Sequence, residues 1–324
     1  MRREITCAAE AVVPQSAVVN RGGRQHPRQV EWPTIAVTVA VWALWAVLVF
    51  AHDSIPWPLL LVGFAFSNAW YMSLQHEVIH GHPTPWRAVN TVVAWMPLNL
   101  WLPFSLYRDS HLAHHEADLT IPEVDPESYY VTPAQWAEAG LLKRAVLMAS
   151  RTFVGRMVLG PAIGPTRTVV HEMRRALTDA ATARVWVAHV VGAAAVGWVV
   201  FGIAGVPVWQ YLVGYCYLGM SVVLIRSFAE HLAVPAPATR SAVVRSGWFF
   251  GLLFLNNNLH HTHHTRPAAA WYRLPALTDE IGSEALAAQG AGLYRSYGEV
   301  MRRFAFHPFP GPVNPLLVDD NVSV

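Results

Sequence analysis

Histidine is the residue type through which this sequence could do chemistry, because imidazole binds iron, copper, zinc and nickel. Eleven of the 16 histidines in the 324-residue chain lie in four short stretches. In the first stretch, QHEVIHGHP, His76 and His80 are four residues apart, so on a helix they project from one face, one turn apart. This spacing predicts two ligands of one metal ion.

Two later stretches share the spacing HxxHH. In YRDSHLAHHEAD and in LHHTHHTRP, one histidine precedes others by three and four residues, so the three side chains project from about one helical face. One zinc ion takes about three or four protein ligands, and the clustered imidazoles are roughly twice as many. We therefore predict two metal ions.

Two histidines within these stretches are set apart by their position. His82 lies two residues beyond His80 and directly before Pro83, where the helix is predicted to end, so a ligand role and a supporting role both stay open. His261 is rotated by about 100° from His260 on a helix, which favours a hydrogen bond nearby over the same metal. The isolated histidines are interpreted as core or interface residues (His52, His171 and His189) or as solvated residues (His26 and His307).

The rest of the chain has the composition of a membrane protein. Hydrophobic residues make up 53% of it and charged residues 14%, against about 25% charged residues in soluble domains. This composition excludes a disordered tail protein, a nucleic-acid binder with a broad basic face and an ordinary cytosolic enzyme. Cys7 and Cys216 lie in a polar leader and an apolar run, so no disulfide is predicted, and residues 1–30 do not resemble a cleaved signal peptide.

Uncharged stretches predict four membrane-spanning helices, arranged as two hairpins. Residues 32–52, 54–76 and 185–225 carry no charge, and a turn rich in glycine and proline divides the last of these. The segment 88–107 is interrupted by prolines and the run 246–259 is too short, so neither is predicted to cross. The predicted spans are 33–52, 55–76, 185–203 and 207–226.

The distribution of positive charge predicts the orientation. Of the 23 lysines and arginines, five precede the first span, ten lie from Arg87 to Arg184 and eight lie from Arg226 onward, while the hairpin turns have none. The positive-inside rule therefore places both termini and the central loop in the cytoplasm. This arrangement puts all the clustered histidines on one side of the membrane, as a shared site requires.

Together these patterns predict an all-α protein integral to the cytoplasmic membrane, with four transmembrane helices and a cytoplasmic helical cap that carries the histidines. We divide the chain into a polar, flexible tail, residues 1–30, and one membrane domain, residues 31–324. Residues 134–160 alternate apolar and basic positions at a helical period. They predict an amphipathic helix that lies on the membrane surface or packs on the protein itself.

The stretches HEVIH, HLAHH and HHTHH, with the flanking phrases DPESYY, FAEH and WYRLP, resemble the membrane fatty acid desaturase and hydroxylase superfamily, and its bacterial desaturase-like members in particular. The resemblance extends from about Trp32 to Tyr297. It implies two iron ions, ferrous in the reduced form, which use O2 as co-substrate to remove hydrogen from an unactivated C–H bond. The ligands that it implies are His76, His80, His111, His114, His115, His231, His260, His263 and His264.

The function predicted from this resemblance is O2-dependent desaturation of an acyl lipid or a similar apolar chain. Hydroxylation or ketolation by the same site, and desaturation of a small amino-acid-derived metabolite, are alternatives that the sequence leaves open. HEVIH also fits HExxH, so a further alternative is an intramembrane zinc metalloprotease with His76 and His80 as ligands and Glu77 as general base.

The chain carries no glycine-rich dinucleotide fingerprint and no cysteine-rich or haem-binding module. The two electrons of each turnover are therefore predicted to come from an external donor, such as a ferredoxin-type protein. No nucleic-acid partner is predicted.

Several polar residues near the implied ligands are predicted to support them. Carboxylates that could orient imidazole N–H groups are Glu77, Asp109, Glu116 and Glu230. The amides of residues 256–258 could orient ligands or cap a helix. Ser227 stands four residues before His231, where acyl-CoA desaturases carry a coordinating asparagine, and this difference separates the chain from that subgroup.

The substrate path leaves a weaker pattern in the sequence. An apolar tunnel would distinguish an acyl chain from a small polar metabolite. Candidates for lining such a tunnel, or for packing in the core, are Trp70, Trp95, Trp101 and Phe104.

Overall fold

The computed structural model describes residue 27 and residues 29–318 of the chain. The predicted polar tail, residues 1–30, therefore lies almost wholly outside the described residues, as do Cys7 and His26. The described part is mostly helical, as predicted, with little sheet.

The first half of the described chain contains eight longer elements. In chain order they are α1 (Trp32–Phe50), α2 (Trp57–Ile79), α3 (Arg87–Trp95), α4 (Phe104–Glu116), α5 (Pro133–Ala137), α6 (Leu141–Ala149), α7 (Phe153–Ala176) and α8 (Ala180–Ile203). The last turns of α8, Trp198–Ile203, are π-helical.

The second half begins with a long helix and continues in short elements. These are α9 (Val208–Ser227), β1 (Val243–Val244), α10 (Trp248–Leu253), α11 (His260–Thr265), α12 (Leu274–Ile281), α13 (Ser283–Ala288), β2 (Leu293–Tyr294) and α14 (Tyr297–Phe304). Short 3-10 helices occupy His52–Ser54, Pro237–Thr239, Trp271–Arg273 and Pro315–Leu317.

Three of the four predicted spans coincide with helices that are long and apolar enough to cross a membrane, namely α1, α8 and α9. The fourth prediction, residues 55–76, corresponds to α2, which is continuous over 23 residues but is not among these candidates. Its second half carries Ser67, Asn68, Ser73 and Gln75, all buried, and these polar side chains lower its hydropathy. A fourth candidate arises only if α6 and α7, whose axes differ by 115°, count as one broken span.

The amphipathic segment 134–160 is not one helix, so that prediction was wrong. It is divided among α5, α6 and the start of α7. The breaks follow local chemistry: Gly140 precedes α6, and the Thr152 hydroxyl accepts a hydrogen bond from Gly155 N, which caps a new helix.

The segment 88–107 behaves as predicted and forms no continuous helix. It is divided between α3 and α4, and the turn between them places Leu100 at a φ of 66°. The run 246–259 contains only the six-residue α10.

Helix α2 is the centre of the bundle, with α1 and α9 packed against it. Close approach to α9 depends on glycine: a Cβ atom at Gly219 would lie 2.5 Å from Cβ of Asn68. Asn68 Nδ2 donates to the Tyr215 carbonyl oxygen over 2.7 Å, which gives the buried amide nitrogen a partner across the contact. Tyr211 Oη accepts from Trp45 Nε1 over 3.1 Å and ties α9 to α1.

The segments after α9 form a second, smaller core beside the ends of α2 and α9. Phe228, Phe254, Tyr294 and Phe309 are buried in it. Parallel pairing of β1 with β2 fastens this part of the chain, and Val244 N donates to Asn258 O, two residues before α11.

Candidate metal centre

Four elements bring the clustered histidines together. The last turn of α2 carries His76, and His80 follows its end. The two HxxHH stretches form α4 and α11, while His231 follows α9 by four residues and is held by an antiparallel bridge to Ser241. Each stretch is helical or ends a helix, as its spacing predicts.

The nine side chains form two adjoining groups. The five-histidine group consists of His76, His80, His111, His115 and His263, and the four-histidine group consists of His114, His231, His260 and His264. Within each group, one ligand nitrogen per residue lies within 4.8 Å of the others. The rings of His115 and His264 stack with centroids 4.3 Å apart, so the groups touch. The structure thus collects all nine predicted ligands, and that they bind metal stays a prediction.

Each HxxHH stretch contributes histidines to both groups. The spacing alone did not predict this division. In α4, His111 and His115 belong to the five-histidine group, whereas His114 belongs to the other. One residue advances a helix by about 100°, so His114 is rotated by about 60° from His111 and by about 100° from His115. A stretch that looks one-sided in sequence can therefore face two sites.

The separations of the Nε2 atoms fit ligands of one ion. The Nε2 atoms of His111 and His80 are 3.2 Å apart, and those of His111 and His115 are 3.1 Å apart. In the other group, His231 Nε2 lies 3.1 Å from that of His114 and 3.0 Å from that of His260. Two nitrogens that each lie about 2.1 Å from an ion, at an angle of about 90–110°, are about 3.0–3.4 Å apart.

Carboxylates fix the protons of two of these imidazoles. His114 Nδ1 lies 2.7 Å from Asp125 Oδ1, with both side chains 1% exposed, and His111 Nδ1 lies 3.0 Å from Glu127 Oε1. An ionised carboxylate only accepts, so the proton is on Nδ1 and the lone pair is on Nε2. In the neutral imidazoles these Nε2 lone pairs point at a second Nε2 atom about 3 Å away, a separation that accommodates either a shared proton or a bound metal ion.

Neutral groups anchor two further histidines. His260 Nδ1 donates to Asn257 Oδ1 over 3.1 Å, and His231 Nδ1 lies 3.2 Å from Ser241 Oγ. The other end of Asn257, Nδ2, lies 3.3 Å from His76 Nε2. Asn257 therefore contacts both groups.

Most of the site favours neutral imidazole, the form that binds metal. Burial and the neighbouring imidazoles hold the pKa of His263 and of His264 well below the ordinary value. Burial acts in the same direction at His114, but Glu127 and Asp125 outweigh it and raise the pKa of His114 to about 9. A metal ion bound there would take the place of that proton.

The carboxylates that orient histidines are mostly not those predicted. Glu230 does lie 3.4 Å from His260 Nδ1. Asp109 pairs with Arg108 and is 62% exposed, and Glu116 is also exposed, so those two predictions were wrong. Glu77 Oε2 instead accepts a hydrogen bond from the Trp271 backbone N–H over 3.1 Å.

Asp125 and Glu127 are the supporting residues that sequence reasoning missed. They lie in DPESYY, beyond the end of α4, and chain proximity to a ligand gave no indication of them. Asp125 also accepts from the backbone N–H groups of Thr120 and Glu127, which folds this loop back onto α4. The signal was the phrase itself, which was part of the family resemblance.

The two histidines set apart by position lie outside both groups. His82 Nδ1 lies 2.8 Å from Glu31 Oε2, and His261 Nε2 donates to the Ala238 carbonyl oxygen over 3.0 Å. His52 and His189 are buried as predicted, and His307 is exposed as predicted. His171 is exposed on α7, so its interpretation as a core or interface residue was wrong.

The other polar residues predicted near the ligands, three asparagines and Ser227, have separate environments. The Asn256 and Asn258 side chains donate to the backbone carbonyls of Trp271 and Val244, so they organise the loop before α11 and leave Asn257 to meet the histidines. Ser227 Oγ is buried and has no hydrogen-bond partner among the described residues.

The aromatic residues predicted for a tunnel or the core are core residues or lie at its edge. Phe104 is buried, Trp70 and Trp101 pack against core clusters, and Trp95 is 38% exposed. A small cavity that holds about one water molecule lies elsewhere, between α2, α4, α9 and the end of α10. Its lining residues are Met72, Ser73, Tyr107, Val223, Arg226 and Phe254.

Comparison with known proteins agrees with this site. The chain matches no protein of curated function. Residues 54–297, three quarters of the chain and including all nine histidines, match the family model described as fatty acid desaturase. This chain belongs to the fatty acid desaturase family.

Proposed function

We propose that this protein is a membrane-bound, non-haem di-iron oxidoreductase that uses O2 and two external electrons to desaturate an acyl lipid or a similar apolar chain. The observation that carries the proposal is the convergence of nine imidazoles into two adjoining groups with ligand-like nitrogen separations. Family membership supports the reaction class.

The donor set fits two iron ions better than one zinc. A zinc protease needs three or four protein ligands and a free carboxylate as general base. Here His76 and His80 belong to a group of five histidines, a second group lies beside it, and Glu77 already accepts the Trp271 N–H. The zinc protease alternative leaves these features unexplained.

Two irons held by these groups, ferrous when reduced, would supply the reduction of O2 to two waters. The balance of that reaction takes two external electrons, two protons and two hydrogen atoms from adjacent carbons of the substrate. The chain's own residues prepare the ligands for this task. Asp125 and Glu127 hold protons at Nδ1 of His114 and His111, so the Nε2 lone pairs point into the groups. Burial of most of the nine side chains restricts the access of water.

In the proposed arrangement α2 is the fourth span, since its polar side chains face the interior of the bundle. The two hairpins are then α1 with α2 and α8 with α9, and the loops and short helices that follow them form the cap. The charge distribution supports a cytoplasmic position for the cap and both termini.

The electrons come from a separate protein in this proposal, of ferredoxin type. Only two cysteines occur in the chain, at positions 7 and 216, so it has no cysteine set for an iron–sulfur cluster. Hydroxylation or ketolation would use the same ligands, because the outcome depends on how the substrate C–H bonds are placed.

Metal content and products test this proposal together. Protein purified without oxygen in lipid nanodiscs should hold about two irons per chain, and dithionite reduction followed by O2 should yield a product two mass units lighter than its substrate. A product sixteen units heavier would select the hydroxylase alternative. A single zinc that survives exchange controls would overturn the di-iron site.

Adjacent histidines in α11 provide a matched pair of variants. His260→Ala should abolish product formation and lower the iron content, because it removes a nitrogen of the four-histidine group. His261→Gln retains a donor for the Ala238 carbonyl and should keep both irons. Equal iron loss in both variants would contradict the assignment of His260.

A further inference from the structure

A polar niche adjoins the five-histidine group on the side of the long helices. It surrounds the small cavity that Met72, Ser73, Tyr107, Val223, Arg226 and Phe254 line. Tyr107 lies one turn before His111 in α4, and their rings are 6.1 Å apart. Ser73 lies three residues before His76 in α2. The cavity therefore begins about one helical turn, roughly 5–6 Å, from the imidazoles.

The cation in this niche has few partners. The Arg226 side chain is 13% exposed, and within residues 29–318 its one ion pair is with Glu230, at 3.4 Å between Nη1 and Oε1. Charge-assisted hydrogen bonds are shorter, at about 2.7–2.9 Å. A guanidinium offers about five N–H donors, so one long contact leaves most of them free for a ligand.

One further polar atom near Arg226, the Tyr297 hydroxyl, has no hydrogen-bond partner among the described residues. The Tyr297 hydroxyl is buried at 4% exposure and lies within the electrostatic reach of both Arg226 and Glu230. Glu230 Oε1, by contrast, lies 3.4 Å from both Arg226 Nη1 and His260 Nδ1. Buried polar atoms are almost always hydrogen-bonded, so the unpaired Tyr297 hydroxyl indicates that a ligand with an acceptor atom completes the niche.

The niche matches one kind of ligand group. Among the residues that line the cavity, Arg226 and the Tyr107 hydroxyl are donors, while Met72, Val223 and Phe254 form an apolar wall. A planar guanidinium binds a carboxylate through two parallel hydrogen bonds. An apolar wall beside such a contact accommodates the chain to which the carboxylate is attached.

We infer that Arg226 and Tyr107 bind the free carboxylate of the substrate, and that the C–H bonds oxidised lie within about six bonds of it. This inference rests on the proposed function and narrows its substrate to free acids of short or medium chain length. An acyl lipid or thioester has no such carboxylate to offer. Because a carboxylate is larger than one water, Met72, whose thioether chain has three rotatable bonds, must move to admit it.

Binding can be measured without turnover. Straight-chain carboxylates of three to eight carbons, and the methyl ester of each, are titrated into the iron-loaded protein in lipid nanodiscs by calorimetry. At least one acid should bind, and its ester should bind at least about tenfold more weakly, as expected when a charged hydrogen bond is lost. If no acid in the series binds better than its ester, the inference is overturned.

Three variants locate the binding. Arg226→Met should weaken binding of the preferred acid by more than about tenfold and Tyr107→Phe by about threefold to tenfold, with the iron content unchanged. Arg302→Met removes an exposed arginine of α14 and should leave the affinity unaltered. Arg226→Lys keeps the charge, so partial recovery of affinity in this variant would distinguish carboxylate binding from a structural role. Wild-type affinity in iron-loaded Arg226→Met would overturn the inference.

Failure of this inference differs from failure of the proposed function. If the acid binds through Arg226 but no oxidised product forms after reduction and exposure to O2, the carboxylate site stands and the reaction fails. If methyl esters or thioesters are oxidised and Arg226→Met has no effect on their turnover, the reaction stands and the carboxylate site fails.

Discussion

The two histidine groups differ in how firmly they are held. Within residues 29–318, three of the four members of the four-histidine group have an Nδ1 partner, namely Asp125, Ser241 and Asn257. In the five-histidine group only His111 has one, the carboxylate of Glu127. Anchored imidazoles lose less freedom on binding metal. If both groups bind iron as proposed, we expect preorganisation of the four-histidine group to compensate for the additional imidazole of the five-histidine group.

The largest effect should come from ligand loss, and it should differ between the groups. His114→Ala leaves three imidazoles in its group, whereas His263→Ala leaves four in the other. Both variants should abolish turnover, because the proposed reaction needs both irons, but His114→Ala should lose close to one iron per chain and His263→Ala less. Elemental analysis of the two purified variants measures this directly. Iron loss that is greater in His263→Ala would reverse the comparison.

Loss of the buried carboxylate should have the next largest effect. Asp125 accepts hydrogen bonds from His114 Nδ1 and from two backbone N–H groups. In Asp125→Asn, the side-chain N–H2 group would face one of these donors, so a hydrogen bond would be lost. Iron affinity of the four-histidine group should fall by about 10–100-fold. Glu127→Gln, at a more exposed anchor, should cost less than about tenfold. Chelator competition on each variant gives both affinities, and equal losses would contradict the role of burial.

Asn257 tests whether the groups are coupled. Asn257→Leu removes a side chain that contacts His260 in one group and His76 in the other. Iron affinity should therefore fall at both sites, by about tenfold. In a titration with a chelator, the two phases of iron release, one for each site, should both shift to lower chelator concentration. If only one phase moves, Asn257 serves a single group.

The smallest effect should follow from carboxylates that are near the ligands only in sequence. Asp109→Asn and Glu116→Gln change exposed side chains on α4. Iron content and turnover should each remain within about twofold of the wild type, since exposed charges contribute little. A large loss in either variant would restore the roles that sequence proximity suggested.

Local patterns of apolar residues and histidines explain why the main helices of this protein could be predicted from its sequence. The apolar runs of α1, α8 and α9 are long and uncharged, and the HxxHH spacing fits a helix, so both were predictable from local patterns. The short elements after α9 were not, because β1 and β2 pair residues some fifty positions apart and carry no local periodicity. The break of 134–160 into three helices depends on caps at single residues such as Thr152.

The histidines that the structure brings together were recognisable from the sequence because eight of the nine recur in HxxxH or HxxHH spacings; that they bind metal stays a prediction. Their division into groups of five and four was not accessible, because it depends on how α4 and α11 are rotated about their axes. Nor could proximity along the chain identify Asp125, which reaches His114 across a loop.

The sequence by itself determined the membrane character, the helical spacing and the identity of the ligand-type side chains, since these follow from composition and local periodicity. Tertiary structure decided which imidazole joins which group, which carboxylate holds each proton and where Arg226 lies relative to them. Such relations are set by packing between distant segments, and no local pattern in the chain encodes the rotation and register of one helix against another.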